Sequence, residues 1–225
     1  MKLPFTTEQF FEVFKNYNES VFPIQIIFYL LALTVIFLSI KKFTGSDRII
    51  NAILSFFWLW MGVVYHLFYF ASINKAAYLF GAIFILQGLF FFYQGVVKDK
   101  LTYKFRFDKS GWVGATLIVF ALMIYPLLGL VFGHYYPAYP TFGLPCPTTI
   151  FTFGILIWYD KSISLSILIV PSVWAIIGVF ASLQLGVRED IGLLVAGISG
   201  VLVVIFRSKR NSYAVSGIKP GWKHQ

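Results

Sequence analysis

Seven apolar runs separated by polar loops set the pattern of this chain, at residues 23–40, 49–73, 76–97, 112–133, 147–159, 163–185 and 191–206. Most approach the roughly 20 apolar residues that a helix needs to cross bilayer hydrocarbon. None has Asp, Glu, Lys or Arg within its hydrophobic core, so neither an acidic proton relay nor a buried ion pair is visible inside a span. The pattern predicts an all-α, polytopic transmembrane helical bundle of seven spans. Ahead of the first run, Phe10, Phe11, Phe14 and Tyr17 recur at helical spacing, and Thr6 with Gln9 has the form of a capping box. A short amphipathic helix lying in the membrane interface is expected there, either as a packing lid or as a ligand gate. The expected organisation is an interfacial helix at 1–22, a bundle at 23–206 and a basic tail at 207–225.

Composition agrees with the pattern. The chain is 59% hydrophobic and 20% aromatic with mean hydropathy +0.80, outside the range of ordinary soluble domains. A net charge of +9 raises nucleic acid as a partner, but the basic residues flank apolar runs and form no solvated, aromatic-interleaved face, so nucleic acid is set aside. Fourteen of the eighteen Lys and Arg residues fall in the loops after the first, third, fifth and seventh runs, including Lys161, Lys219 and Lys223. Lys2, Lys15, Lys75 and Arg188 fall on the other side. The positive-inside bias then puts the N-terminus outside and the C-terminus in the cytoplasm. The first twenty residues lack the features of a cleaved signal peptide, so insertion without cleavage is expected.

Gly81, Gly88 and Gly95 recur every seven residues, and Gly192, Ala196 and Gly200 every four, spacings that let neighbouring backbones approach. Gln87 and Gln94 share one face with the first series, and their amides will seek partners across the bundle or line a pathway.

The polar chemistry gathers on the outer side. Candidate ligand-binding residues are Tyr65 and His66, His134, and Cys146, Thr148 and Thr149 in the segment Pro145-Cys146-Pro147-Thr148-Thr149. Counted from Asn74, His66 lies about 12 Å deep at helical rise. Counted from Asp160, Cys146 lies about 21 Å up a core of about 30 Å, which gives the two similar depth. Pro145 and Pro147 are expected to keep the chain above Cys146 out of regular helix, leaving a sunken vestibule floored by a short helix's N-terminus. Free backbone N–H groups there, with Thr148 or Thr149, would suit an anion or a polarised carbonyl. His66, His134 and Cys146 form a weak trio for a soft or borderline metal, or for haem at His66, and no cofactor is assigned. The single cysteine excludes an intrachain disulfide. No phosphate loop, metalloprotease helix or nucleophile–base arrangement is recognisable, so no catalytic residue is named.

The stretches Trp60-Met61-Gly62-Val63-Val64-Tyr65-His66, Ile73-Asn74-Lys75-Ala76-Ala77, Phe80-Gly81, Gln87 and Cys146-Pro147-Thr148-Thr149-Ile150-Phe151 resemble a family of small bacterial multi-pass membrane proteins carried as a domain of unknown function, some of them labelled permeases. The resemblance implies a bacterial inner (plasma) membrane location and no site residues. Three functions are carried forward. The first is a small permease or solute-binding protein taking a small neutral or anionic ligand from the extracytoplasmic side. The second is a non-catalytic accessory or assembly subunit, as a homo-oligomer or within a larger membrane complex. The third is a metal- or haem-binding redox protein.

Overall fold

The computed structural model describes residues 3–160 and 165–216, all of it helix and loop apart from two isolated bridges. The helices are α1 (Thr7–Val21), α2 (Ile24–Ile40), α3 (Ser46–Ser72), α4 (Ala77–Val97), α5 (Lys109–Val131), α6 (Pro145–Ile157), α7 (Ile169–Leu185) and α8 (Ile191–Ser216). Each apolar run therefore has its helix, although Lys2, Lys161, Lys219, Lys223 and the first residues of the sixth run lie outside the described residues. By length and apolar composition α3, α4, α5 and α7 with its leading turn could cross a membrane, and α1 with α2, bent by 84°, would make a fifth if taken as one broken span.

α1 begins as expected: the Thr6 hydroxyl accepts from Gln9 N–H, and the Gln9 side chain accepts from Thr6 N–H. Its Val13, Phe14 and Tyr17 are buried, each worth about 1.5–3 kcal/mol when a side chain of that size leaves water. Hydrogen bonds of Tyr17 and Asn18 fasten the C-terminal half of this helix. Tyr17 donates to Gly143 O at 2.9 Å and accepts from Trp60 Nε1 at 2.9 Å, and Asn18 donates to Pro137 O at 2.7 Å. Among the described residues its N-terminal half makes no hydrogen bond to the bundle and packs through Val13 and through ring contacts such as Phe10 on Phe70 and Phe14 on Tyr65.

Two expectations about helix ends need correction. Pro145 and Pro147 do not keep the chain irregular; they sit in the first turn of α6, where a missing N–H costs nothing. The last helix does not end at residue 206 but runs to Ser216, because no glycine or proline interrupts it before Gly217. Pro126 stands inside α5, preceded by a widened turn at Phe120–Ile124. Proline cannot donate to the carbonyl four residues back, and the Tyr29 hydroxyl donates to that carbonyl, Leu122 O, at 3.2 Å instead.

The glycine series in α4 packs as predicted. A Cβ at Gly81 would stand 3.0 Å from Gly62 O of α3, one at Gly88 2.7 Å from the Leu59 side chain, and one at Gly95 2.0 Å from that of Asn51. The α8 series works differently: Gly192 and Gly200 receive the rings of Phe120 and Phe153 and not another backbone. A close backbone approach that no repeat announced joins α5 to α6, where Cβ atoms at Gly114 and Gly154 would each come within 3 Å of the other's carbonyl oxygen. α6 is the central post. Every residue in it except Cys146 is buried, as befits a helix that is apolar on all sides and meets protein throughout.

Gln87 is buried in the α3–α4 layer and donates to Ile167 O at 3.1 Å, the bonding role expected of it. Gln94, half-buried, lies in the widened last turn of α4. Opposite α1, the loop after α4 closes the other end of the bundle. Lys104 N donates to Trp158 O, Asp160 N to Thr102 O, and Asn51 Nδ2 to Leu101 O.

Candidate functional site

Beneath the N-terminal half of α1 lies a cavity of about 260 Å³. The helix ends that the threading puts outside converge on it: the C-terminal ends of α3, α5 and α7 and the N-terminal ends of α4, α6 and α8. Phe5, Phe10, Phe14, Phe70 and Phe80 give it an aromatic wall, and Tyr65, Tyr125, Cys146, Trp174 and Asp190 stand at its polar end. It opens past Leu3, Phe5, Gln184 and Leu185 into a broader recess lined also by Thr6, Thr7 and Glu8.

The polar end is organised by Asp190, which is 4% exposed. This residue closes the short turn Arg188–Asp190 between α7 and α8. Gly186 ends α7 in the left-handed region, φ 75°, and turns the chain straight back. A link of five residues cannot lift Glu189 and Asp190 clear of the bundle, so both are buried. The Tyr125 hydroxyl donates to Asp190, and the Cys146 thiol lies beside it. Among the described residues no cation pairs with it; Arg188 turns away and lies over the Phe132 ring, 5.7 Å from its centroid. Burial pushes the Asp190 carboxyl up to about 7 against the Tyr125 hydroxyl and the neighbouring thiol, and the adjacent Glu189 adds to the rise. The Trp174 indole lies beside the same thiol, yet its N–H has no hydrogen-bonded partner. It is 6% exposed and lines the cavity.

Of the residues singled out from the sequence, Tyr65 and Cys146 are brought together in this cavity. His134 is near it in another role. Its Nδ1 lies 2.7 Å from Glu189 Oε1, with the Phe11 ring packed over the imidazole at 4.4 Å, so it fixes the residue next to Asp190 and does not line the wall. His66 is fully buried among Phe70, Phe80, Phe84 and Trp174, and neither ring nitrogen has a partner. Trp174 touches both His66 and Cys146 and stands between them. Thr148 and Thr149 are buried with unpartnered hydroxyls and lie outside the lining.

The helix N-terminus has fewer of the free donors expected of it. Two of its first four residues are prolines, Thr148 N–H is taken by Leu144 O at 3.2 Å, and Leu144 supplies no side-chain cap. His66, His134 and Cys146 do not form one cluster, and no group of three or more His, Cys, Asp or Glu side chains suited to a metal occurs among the described residues.

Glu189 and Asp190 were missed because an acidic residue just ahead of an apolar run reads as an ordinary helix cap. Their signal was the brevity of the link behind them. All-helical architecture, helices long and apolar enough to span a membrane, and an aromatic cavity with one acidic end define the class. The chain belongs to a family of unknown function, DUF6064, whose family model matches residues 7–215. Comparison with curated proteins and with solved structures gives no match.

Proposed function

We propose that this protein is a multi-pass protein of the bacterial inner membrane that binds a small solute from the extracytoplasmic side, as a solute-binding protein or small permease. Seven spans with the N-terminus outside go with this reading. The observation that carries it is the cavity under α1: apolar rings supply contact area, and a few converging polar groups at one end supply orientation, the usual division of labour in a small-molecule site. The fastening of α1 at one end only supports the gate reading over the plain lid, since ring contacts can part without breaking a hydrogen bond.

Binding from one side is better supported than a standing passage. Below the cavity Phe57, Phe84, Phe142 and Phe151 are packed with no exposure, so transport would need a second arrangement of the bundle.

The test uses the only cysteine. With the full chain in oriented vesicles, a small membrane-impermeant thiol reagent applied outside should modify Cys146 faster than a bulky one. Inertness of Cys146 in the folded protein, with full reactivity after denaturation, would overturn the proposal, and reaction only from the cytoplasmic side would overturn the threading.

A further inference from the structure

Three features of the cavity point to the charge of its ligand. Asp190 stands at the polar end, buried and without a cationic partner among the described residues. A carboxylate removed from water without a counter-charge is costly, and an incoming cation relieves that cost while an anion adds to it. The wall facing it is built from aromatic rings, whose faces attract a cation. The Trp174 N–H, buried and unpartnered at the same end, has room for an acceptor atom next to the charge. The wider surroundings agree. Glu8 lies in the outer recess.

We infer that the cavity takes a small organic cation of the amino-alcohol class, its nitrogen against Asp190, its oxygen at the Trp174 N–H and its carbon body against the rings of Phe10, Phe14, Tyr65 and Phe70. The inference rests on the solute-binding reading and replaces the neutral or anionic ligand expected from the sequence with a cationic one. The groups that face or adjoin Asp190 are Glu189 on its own turn, Tyr125 from α5, Cys146 from α6 and Tyr65 from α3. His134 is engaged by Glu189, and Arg188 points elsewhere. Asp190 is thus the only one of these whose charge the ligand would neutralise directly. Because its carboxyl titrates at about 7, cation binding should weaken as pH falls through that value.

The experiment measures protection of Cys146 from the thiol reagent by choline and by its neutral isostere 3,3-dimethylbutan-1-ol, on the full chain in vesicles. Choline should protect at a concentration at least about tenfold lower than the isostere. That advantage should disappear in Asp190→Asn and shrink in the natural chain between pH 8 and pH 5.5. If Asp190→Asn does not fold, the pH series on the natural chain decides the matter. Equal protection by both compounds would overturn the cation inference and leave the solute-binding reading standing. Labelling of Cys146 that neither compound slows would overturn the inference for this class. Absence of labelling in the folded protein would remove both.

Discussion

The two ends of the bundle treat buried polar groups in opposite ways. At the end away from α1, Asn51 is saturated by protein: its amide donates to Asp47 O and Leu101 O, and its oxygen accepts from the Tyr103 hydroxyl. Asp47 is paired with Lys42 and accepts from Tyr103 N–H, Arg106 pairs with Asp160, and Trp158 donates to Gly111 O. At the α1 end, Asp190 accepts from the Tyr125 hydroxyl but has no cation among the described residues, and the Trp174 N–H has no partner. The first arrangement is what stability requires, since a satisfied network costs nothing and locks the loops. The second gives up stability beside a cavity, which is where binding sites keep such strain. Burial alone does not separate them: Asn51 and Asp190 are both inaccessible, and what differs is whether the partners are already present.

The comparison can be broken most severely beside the saturated end, where a Cβ at Gly114 would stand 2.6 Å from Trp158 Nε1 and 2.8 Å from Gly154 O. Gly114→Leu would drive a side chain into the α6 backbone and should cost more than about 5 kcal/mol, read as loss of folded protein on size-exclusion chromatography.

Next in size is the pH effect at the cavity end. The folded Asp190 carboxyl, at about 7 against an ordinary 3.8, binds its proton more tightly than the unfolded chain does. Its contribution to stability is therefore most favourable below the unfolded value, declines as pH rises towards 7 and stays low above it. The full span is at most about 4 kcal/mol. Thermal melting should show the natural chain losing stability between pH 4 and pH 8, with a flatter profile in Asp190→Asn; identical profiles would mean that the carboxylate is compensated after all.

At the saturated end, Asn51→Ala orphans Leu101 O and the Tyr103 hydroxyl at once and should cost about 3 kcal/mol at every pH in that range. The same melts measure it, and Cys146 labelling should not change.

Thr6→Ala removes one half of the capping box and should loosen α1 by about 1 kcal/mol. Hydrogen exchange should show the effect in the first turns of α1, with the half fastened by Tyr17 and Asn18 unaffected.

The smallest effect expected is at His66. Its ring nitrogens bond nothing in an aromatic surround, so His66→Leu should leave melting unchanged or raise it by about 1 kcal/mol and leave Cys146 labelling intact. A large loss in either would show that the imidazole serves the site.

How much was legible in advance differs between these regions for a physical reason. The glycines at 81, 88 and 95 lie on one helix face against one neighbour, so their spacing carried the contact. Gly114 and Gly154 come from different helices, and no spacing within either helix announces their meeting. Tyr65 and Cys146 were found because polar groups stand out within apolar runs. Asp190 was passed over because, one residue ahead of α8, it looks like a cap, and its neighbours Tyr125 and Cys146 are 65 and 44 positions away in a chain that must fold before they meet.

By itself the sequence determined the helices and the capped amphipathic start of α1. Those depend on local periodicity and on the cost of unpaired backbone in an apolar medium. Only the tertiary structure decided that His66 faces rings while Tyr65, its neighbour, faces a cavity, and that an acid in a five-residue link becomes the cavity's charged group. Each of these turns on which side chains meet across the bundle, and helix rotation and packing set that without leaving a mark in the pattern of any single segment.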